Sequence, residues 1–192
     1  HSIIFNGDNY SQDWVDEAAK RGLPNLRTSA DALALLKSKD RVSFLSELGI
    51  LNEVEIEMRH NAFVEKYITC RCIEFNSLSQ IVNQHVIPSA VNYKKCLLES
   101  AKLSKDLGVP DRVELEIGKN VDHLMTNLNQ SMSALNNGML SLGNDEDESS
   151  QKIAHELVPL AEKIGDICND LEGIIPSTEW TLPTYLDLLF IR

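Results

Sequence analysis

Between Asn52 and Gly108 the chain carries no residue that must end a helix, and that one stretch rules out most folds open to 192 residues. Asn52-Glu53-Val54-Glu55 opens it with a capping side chain and, three residues on, a glutamate that reaches back, so that free N–H groups at the helix start are satisfied reciprocally. Apolar residues Met58, Ala62, Tyr67, Cys70, Ile73, Leu78, Ile81 and Val82 recur beyond it at roughly helical spacing. The pattern resumes after Pro88 with Val91, Leu97, Leu98, Ala101 and Leu103 and stops at Gly108, with Pro110 beyond. Pro88 lacks a backbone donor and crowds the preceding turn, which predicts a kink and not an end. A straight helix of this length would reach about 80 Å, so it must bend or project.

Two further helical stripes can pack beside it. From Arg112 to Leu142, residues Ile117, Val121, Leu124, Leu128, Met132, Leu135, Met139 and Leu142 step by three and four in a heptad-like stripe. A second stripe, Ile153, Leu157, Leu160, Ile164, Ile167 and Leu171, starts after a cap at Ser149 or Ser150 and ends near Gly173 and Pro176. Pro159 predicts a kink that leaves the His155 carbonyl without its usual helical donor. The intervening Gly143 to Ser149, with Asp145-Glu146-Asp147-Glu148, is too polar to bury and reads as a mobile turn. Ahead of the long helix, three short ones are expected: after Ser11 to Arg21-Gly22, after Thr28, and from Lys39 to Leu48 before Gly49. The fold class is therefore all-α, an elongated antiparallel bundle of about three long helices, one kinked at Pro88, with short N-terminal helices and a docked C-terminal tail. Only Ser2 to Phe5 reads as a candidate strand.

The formal net charge of -11 argues against a nucleic-acid or anionic-membrane partner, since both recruit basic faces. No apolar run approaches the roughly 20 residues that span a bilayer, and the start lacks the pattern of a secretory signal, so the expectation is a cytoplasmic protein. Cys70, Cys72, Cys96 and Cys168 lie in helical sequence without paired zinc spacing and read as reduced thiols.

Chemistry-bearing constellations are sparse. Glu57 and His60 sit three apart on one helix face and read as a solvated pair, while His85, His123 and His155 fall on different helices. No serine sits on a strand-to-helix elbow, and Gly7-Asp8-Asn9 is a turn signal. No catalytic, cofactor-binding or metal residue is assigned. The tail is different: Trp180, Leu182, Tyr185, Leu188, Leu189 and Phe190 place large apolar groups at a chain end, and these six are the interface candidates, docking on this chain's own helices, on an absent domain or on a neighbouring subunit.

Four stretches carry a family resemblance. The first is Ile3-Ile4-Phe5-Asn6-Gly7-Asp8 with Tyr10-Ser11 and Trp14; the second is Glu17-Ala18 with Arg21-Gly22-Leu23-Pro24-Asn25. The third joins Glu55, Arg59, Glu65, Tyr67 and Ile73-Glu74 to Ile87-Pro88, Ala90 and Tyr93. The last is Trp180-Thr181-Leu182-Pro183-Thr184-Tyr185 with Asp187-Leu188-Leu189-Phe190. In this order they resemble the C-terminal segment of type III glutamine synthetases, whereas about Leu98 to Ile174 holds no family landmark. The resemblance implies a parent ATP-dependent glutamate–ammonia ligase that uses magnesium or manganese, with its catalytic residues upstream of this sequence. It also implies that this chain alone is inactive, and that its partners are its own upstream catalytic domain and neighbouring subunits of a homo-oligomer.

The expected organisation is a short-helix segment over 1–51 that joins to the upstream catalytic domain, a long-helix bundle over 52–175 and a hydrophobic tail over 176–192. The lack of methionine at position 1 fits a piece of a longer protein. A competing expectation is a free-standing helical scaffold or adaptor that binds a partner helix along its heptad stripes.

Overall fold

In a computed structural model of the chain, residues 4–190 are described, the side chains of Tyr185 and Leu186 excepted. Among the described residues the secondary structure is helical, without strands. Ile4 and Phe5 are irregular backbone, and the rest of the candidate strand lies outside the described residues. The chain divides into two compact units, His1–Tyr67 and Ile68–Arg192.

In the first unit, Asp8 builds the turn that leads into α1 (Gln12–Lys20): its Oδ1 accepts from Tyr10 N–H at 2.9 Å. Ser11 occupies the N-cap position but makes no side-chain cap, because its hydroxyl donates to the Asp8 carbonyl at 2.7 Å. Gly22 ends the helix at φ +70°, a conformation that a Cβ disfavours. Thr28 caps α2 (Ser29–Ala34), accepting from Asp31 N–H at 3.1 Å, and a 3₁₀ turn at Leu35–Lys37 leads to α3 (Lys39–Glu47). Then α4 (Glu53–Ile81) begins as expected: Glu55 N–H donates to Asn52 Oδ1 at 2.9 Å, and Asn52 N–H donates to Glu55 Oε2 at 2.8 Å.

The buried line of α4 is not the one its apolar residues suggest. Ile56, His60, Val64 and Phe75 are buried, whereas Met58, Ala62, Cys70, Ile73 and Ile81 are exposed. Apolar side chains lie all around this helix, so periodicity alone selects no face.

In the second unit α4 continues as helix through a π turn at Val82–Val86 into α5 (Ile87–Asp106), a helical run of 54 residues from Glu53 onward. Ile87 N–H donates to the Val82 carbonyl, five residues back. The widened turn comes directly before Pro88, where a plain α ladder would set the proline ring against a carbonyl. The same solution recurs at the second proline. There α7 (Glu146–Lys152) passes through a π turn at Ile153–Leu157 into α8 (Val158–Ile174), and Val158 N–H donates to the Ile153 carbonyl.

The expected mobile acidic turn is instead the start of α7. Asp145 Oδ1 accepts from Asp147 N–H at 3.0 Å and Glu148 N–H at 3.1 Å, so the carboxylates cluster at the positive end of the helix, where they are favoured. Ser149 and Ser150, read as caps, are buried inside the helix.

Helix α6 (Arg112–Leu140) packs against both α5 and α8. Its Val121, Leu128, Met132 and Leu135 are buried with Ile153, Leu157, Ile164, Ile167 and Leu171, so both stripes face one core. Gly138 of α6 permits a close approach, since a Cβ there would collide with the Leu157 side chain in the second π turn. Lys94 Nζ of α5 reaches Asp122 Oδ1 of α6 at 2.7 Å.

Candidate functional site

The C-terminal tail leaves α8 at Ile175 and folds back on its own unit. Trp180 is only 7% exposed. Next to it, Thr181 N–H donates to the Ser89 hydroxyl at 3.3 Å, Thr181 Oγ1 lies 3.4 Å from the same hydroxyl, and His85 Nδ1 lies 3.2 Å from Thr181 Oγ1. Ser89 is fully buried on α5, and His85 belongs to the π turn. The chain then forms α9 (Tyr185–Leu189), capped reciprocally. Asp187 N–H donates to Thr184 Oγ1 at 3.2 Å, while Thr184 donates to Asp187 Oδ2 from its N–H at 2.9 Å and its hydroxyl at 2.7 Å. Those two bonds hold the Asp187 carboxyl below the usual carboxylate range.

The six tail candidates therefore separate. Trp180 is buried within this chain and Leu182 is half-buried, while Leu188, Leu189 and Phe190 stand 54, 77 and 72% exposed. The Tyr185 side chain lies outside the described residues. Sequence reading missed Ser89 and His85 as receivers of the tail. Their signal is faint: a serine and a histidine one helical turn apart on either side of a proline, far from the tail in sequence.

The first unit contains a cleft of about 660 Å³ between α3 and the start of α4. Leu36, Val42 and Ile56 give it apolar walls, and Lys39 and Glu53 approach to 3.9 Å at its edge. Both charges are well exposed, so that pair contributes little. Glu57 and His60 both line the cleft, but they are not the expected solvated pair. His60 is 2% exposed because it lies on the Ile56 and Val64 face, and its Nδ1 is 3.0 Å from Asn61 Oδ1.

The other described histidines lie on separate elements, His85 in the first π turn, His123 on α6 and His155 in the second π turn. His85 meets the tail, and His123 pairs with Asn127 one turn along α6 at 3.1 Å. Among the described residues no three His, Cys, Asp or Glu side chains gather to hold a metal ion. The donor set of the described residues does not fit the metal–nucleotide group that the family resemblance implies for a parent ligase. Burial pushes the Cys168 thiol up to about 11, away from nucleophile duty at neutral pH. Among the described residues no helix is long and apolar enough to cross a membrane.

Known proteins resemble this sequence. The family model described as Glutamine synthetase C-terminal domain matches residues 1–105. The chain is similar to the type-3 glutamine synthetase of Dictyostelium discoideum, at 30% identity over 199 residues that cover 99% of this chain and 27% of that protein. It is 29% identical over 198 residues to the glutamine synthetase of Bacteroides fragilis (strain YCH46), which covers 99% of this chain and 27% of that protein. A glutamine synthetase of Butyrivibrio fibrisolvens is 27% identical, covering 98% of this chain and 27% of its own length. The chain thus spans about a quarter of the curated relatives it matches.

Proposed function

Because the chain belongs to the glutamine synthetase C-terminal domain family, we propose that it is the helical C-terminal part of a type III enzyme, packing on the catalytic domain and supporting homo-oligomer assembly. In this reading the ATP-dependent joining of ammonia to glutamate, with its magnesium or manganese, takes place upstream in the cytoplasmic parent protein. Residues of this chain carry none of its steps.

The observation that supports the reading is the division of the tail. Trp180 and Thr181 anchor it, while Leu188 and Leu189 at the end of a capped helix, and Phe190 directly after it, present apolar surface outward. Exposed aromatic and leucine side chains on an ordered element are suited to a partner surface. The competing adaptor reading needs an apolar stripe free for a partner helix, and the stripes of α6 and α8 are already buried against each other.

The test is Leu188→Asp with Phe190→Asp in the full-length protein, read by light scattering. The expected outcome is a lower assembly mass with unchanged helical content. Wild-type mass in the double variant would overturn the assembly role.

A further inference from the structure

Each of the two prolines inside a helix, Pro88 and Pro159, comes after a π turn, but their surroundings differ. At Pro159 the Leu157 side chain of the turn lies against Gly138 of α6. At Pro88, Thr181 reaches to either side of the proline, to His85 before it and Ser89 after it. Pro88 supplies no N–H, so the backbone ladder is one rung short at this level. Thr181 spans that gap from outside through two side chains of the same helix.

We infer that Trp180-Thr181 is a strap that splints the long helix across Pro88: docked, it holds the π turn at Val82–Val86 in its packed form, and released, it lets the helix open locally there. The buried Trp180 supplies the grip, and the fully buried Ser89 hydroxyl, which accepts the Thr181 N–H, supplies the register. Seven residues past Thr181 the exposed Leu188 begins the outward apolar set, so the strap links the state of the outer tail to the stiffness of the long helix. The strap does not depend on the assembly role, since Thr181 can be altered with Leu188 to Phe190 in place.

Amide hydrogen exchange on the intact protein tests it, with the second π turn as internal reference. Thr181→Val removes the hydroxyl from both His85 and Ser89. The expected result is exchange about five- to tenfold faster over 82–90, with 153–159 unchanged, and restored protection in Thr181→Ser. Unchanged exchange over 82–90, an equal rise in both turns, or a Thr181→Ser variant as fast as Thr181→Val would each overturn it. Ser89→Ala, which leaves a helix-favouring residue in place, provides the second variant. It should reproduce the local acceleration, and wild-type protection there would count against the strap.

Discussion

Cys168 shows how far one side chain's chemistry is set by where a helix puts it. It lies on α8 beside the buried Ile164, Ile167 and Leu171, and desolvation disfavours its thiolate. Cys70 and Cys96 are exposed. Alkylation at pH 8 should therefore label Cys70 and Cys96 first and Cys168 at least about ten times more slowly, as peptide mass mapping would show. The same shift has a sign for stability. From about pH 8.5 to about 11 an unfolded Cys168 ionises and the folded one does not, so the fold loses stability across that window as pH rises. Urea midpoints at pH 8 and pH 10 for the wild type and Cys168→Ala would show it as a steeper fall in the wild type.

Within α6, two glycines make opposite demands. Gly118 is buried, yet nothing stands within 4 Å of where its Cβ would be, so Gly118→Ala should stabilise by about 0.5–1 kcal/mol through backbone entropy. Gly138→Ala meets the packed Leu157 side chain and should cost about 1–3 kcal/mol. Thermal or urea unfolding of the two variants checks the pair. This contrast was not legible in the sequence, where each is a single glycine beside an apolar stripe residue, Ile117 or Met139. The caps were: Asn52 with Glu55, and Thr28 with Asp31, are local pairings that sequence fixes over three residues. Asp145 was misread because an acidic run and an acidic N-terminal turn look alike without the helix behind them. The face of α4 and the meeting of Thr181 with His85 and Ser89 depend on tertiary partners, ninety or more residues away in the case of Thr181, which no local pattern encodes.

The two units of the chain differ in how much they bury. Between Arg21 and Asn52 the sole fully buried side chain is Ala30, whereas α6 alone buries Val121, Leu128, Met132 and Leu135. Amides of α2 and α3 in the 192-residue chain should therefore exchange at least about tenfold faster than those of central α6, since protection follows local burial. Equal protection would contradict that ordering. The family match is also uneven, ending at residue 105, close to where the stretch without family landmarks begins, about Leu98 to Ile174. The π turns have a last consequence at this scale, one of chain arithmetic. A π turn accommodates one surplus residue without turning the helix beyond it, whereas an insertion elsewhere in an α-helix rotates everything downstream by about 100°. Val82–Val86 and Ile153–Leu157 are thus the two places in these helices where length can change by one while Ala90, Leu97, Ile164 and Leu171 keep facing the core. Each proline then acts as a lock on its surplus residue, because deleting that residue returns the ring to a plain α ladder that has no room for it.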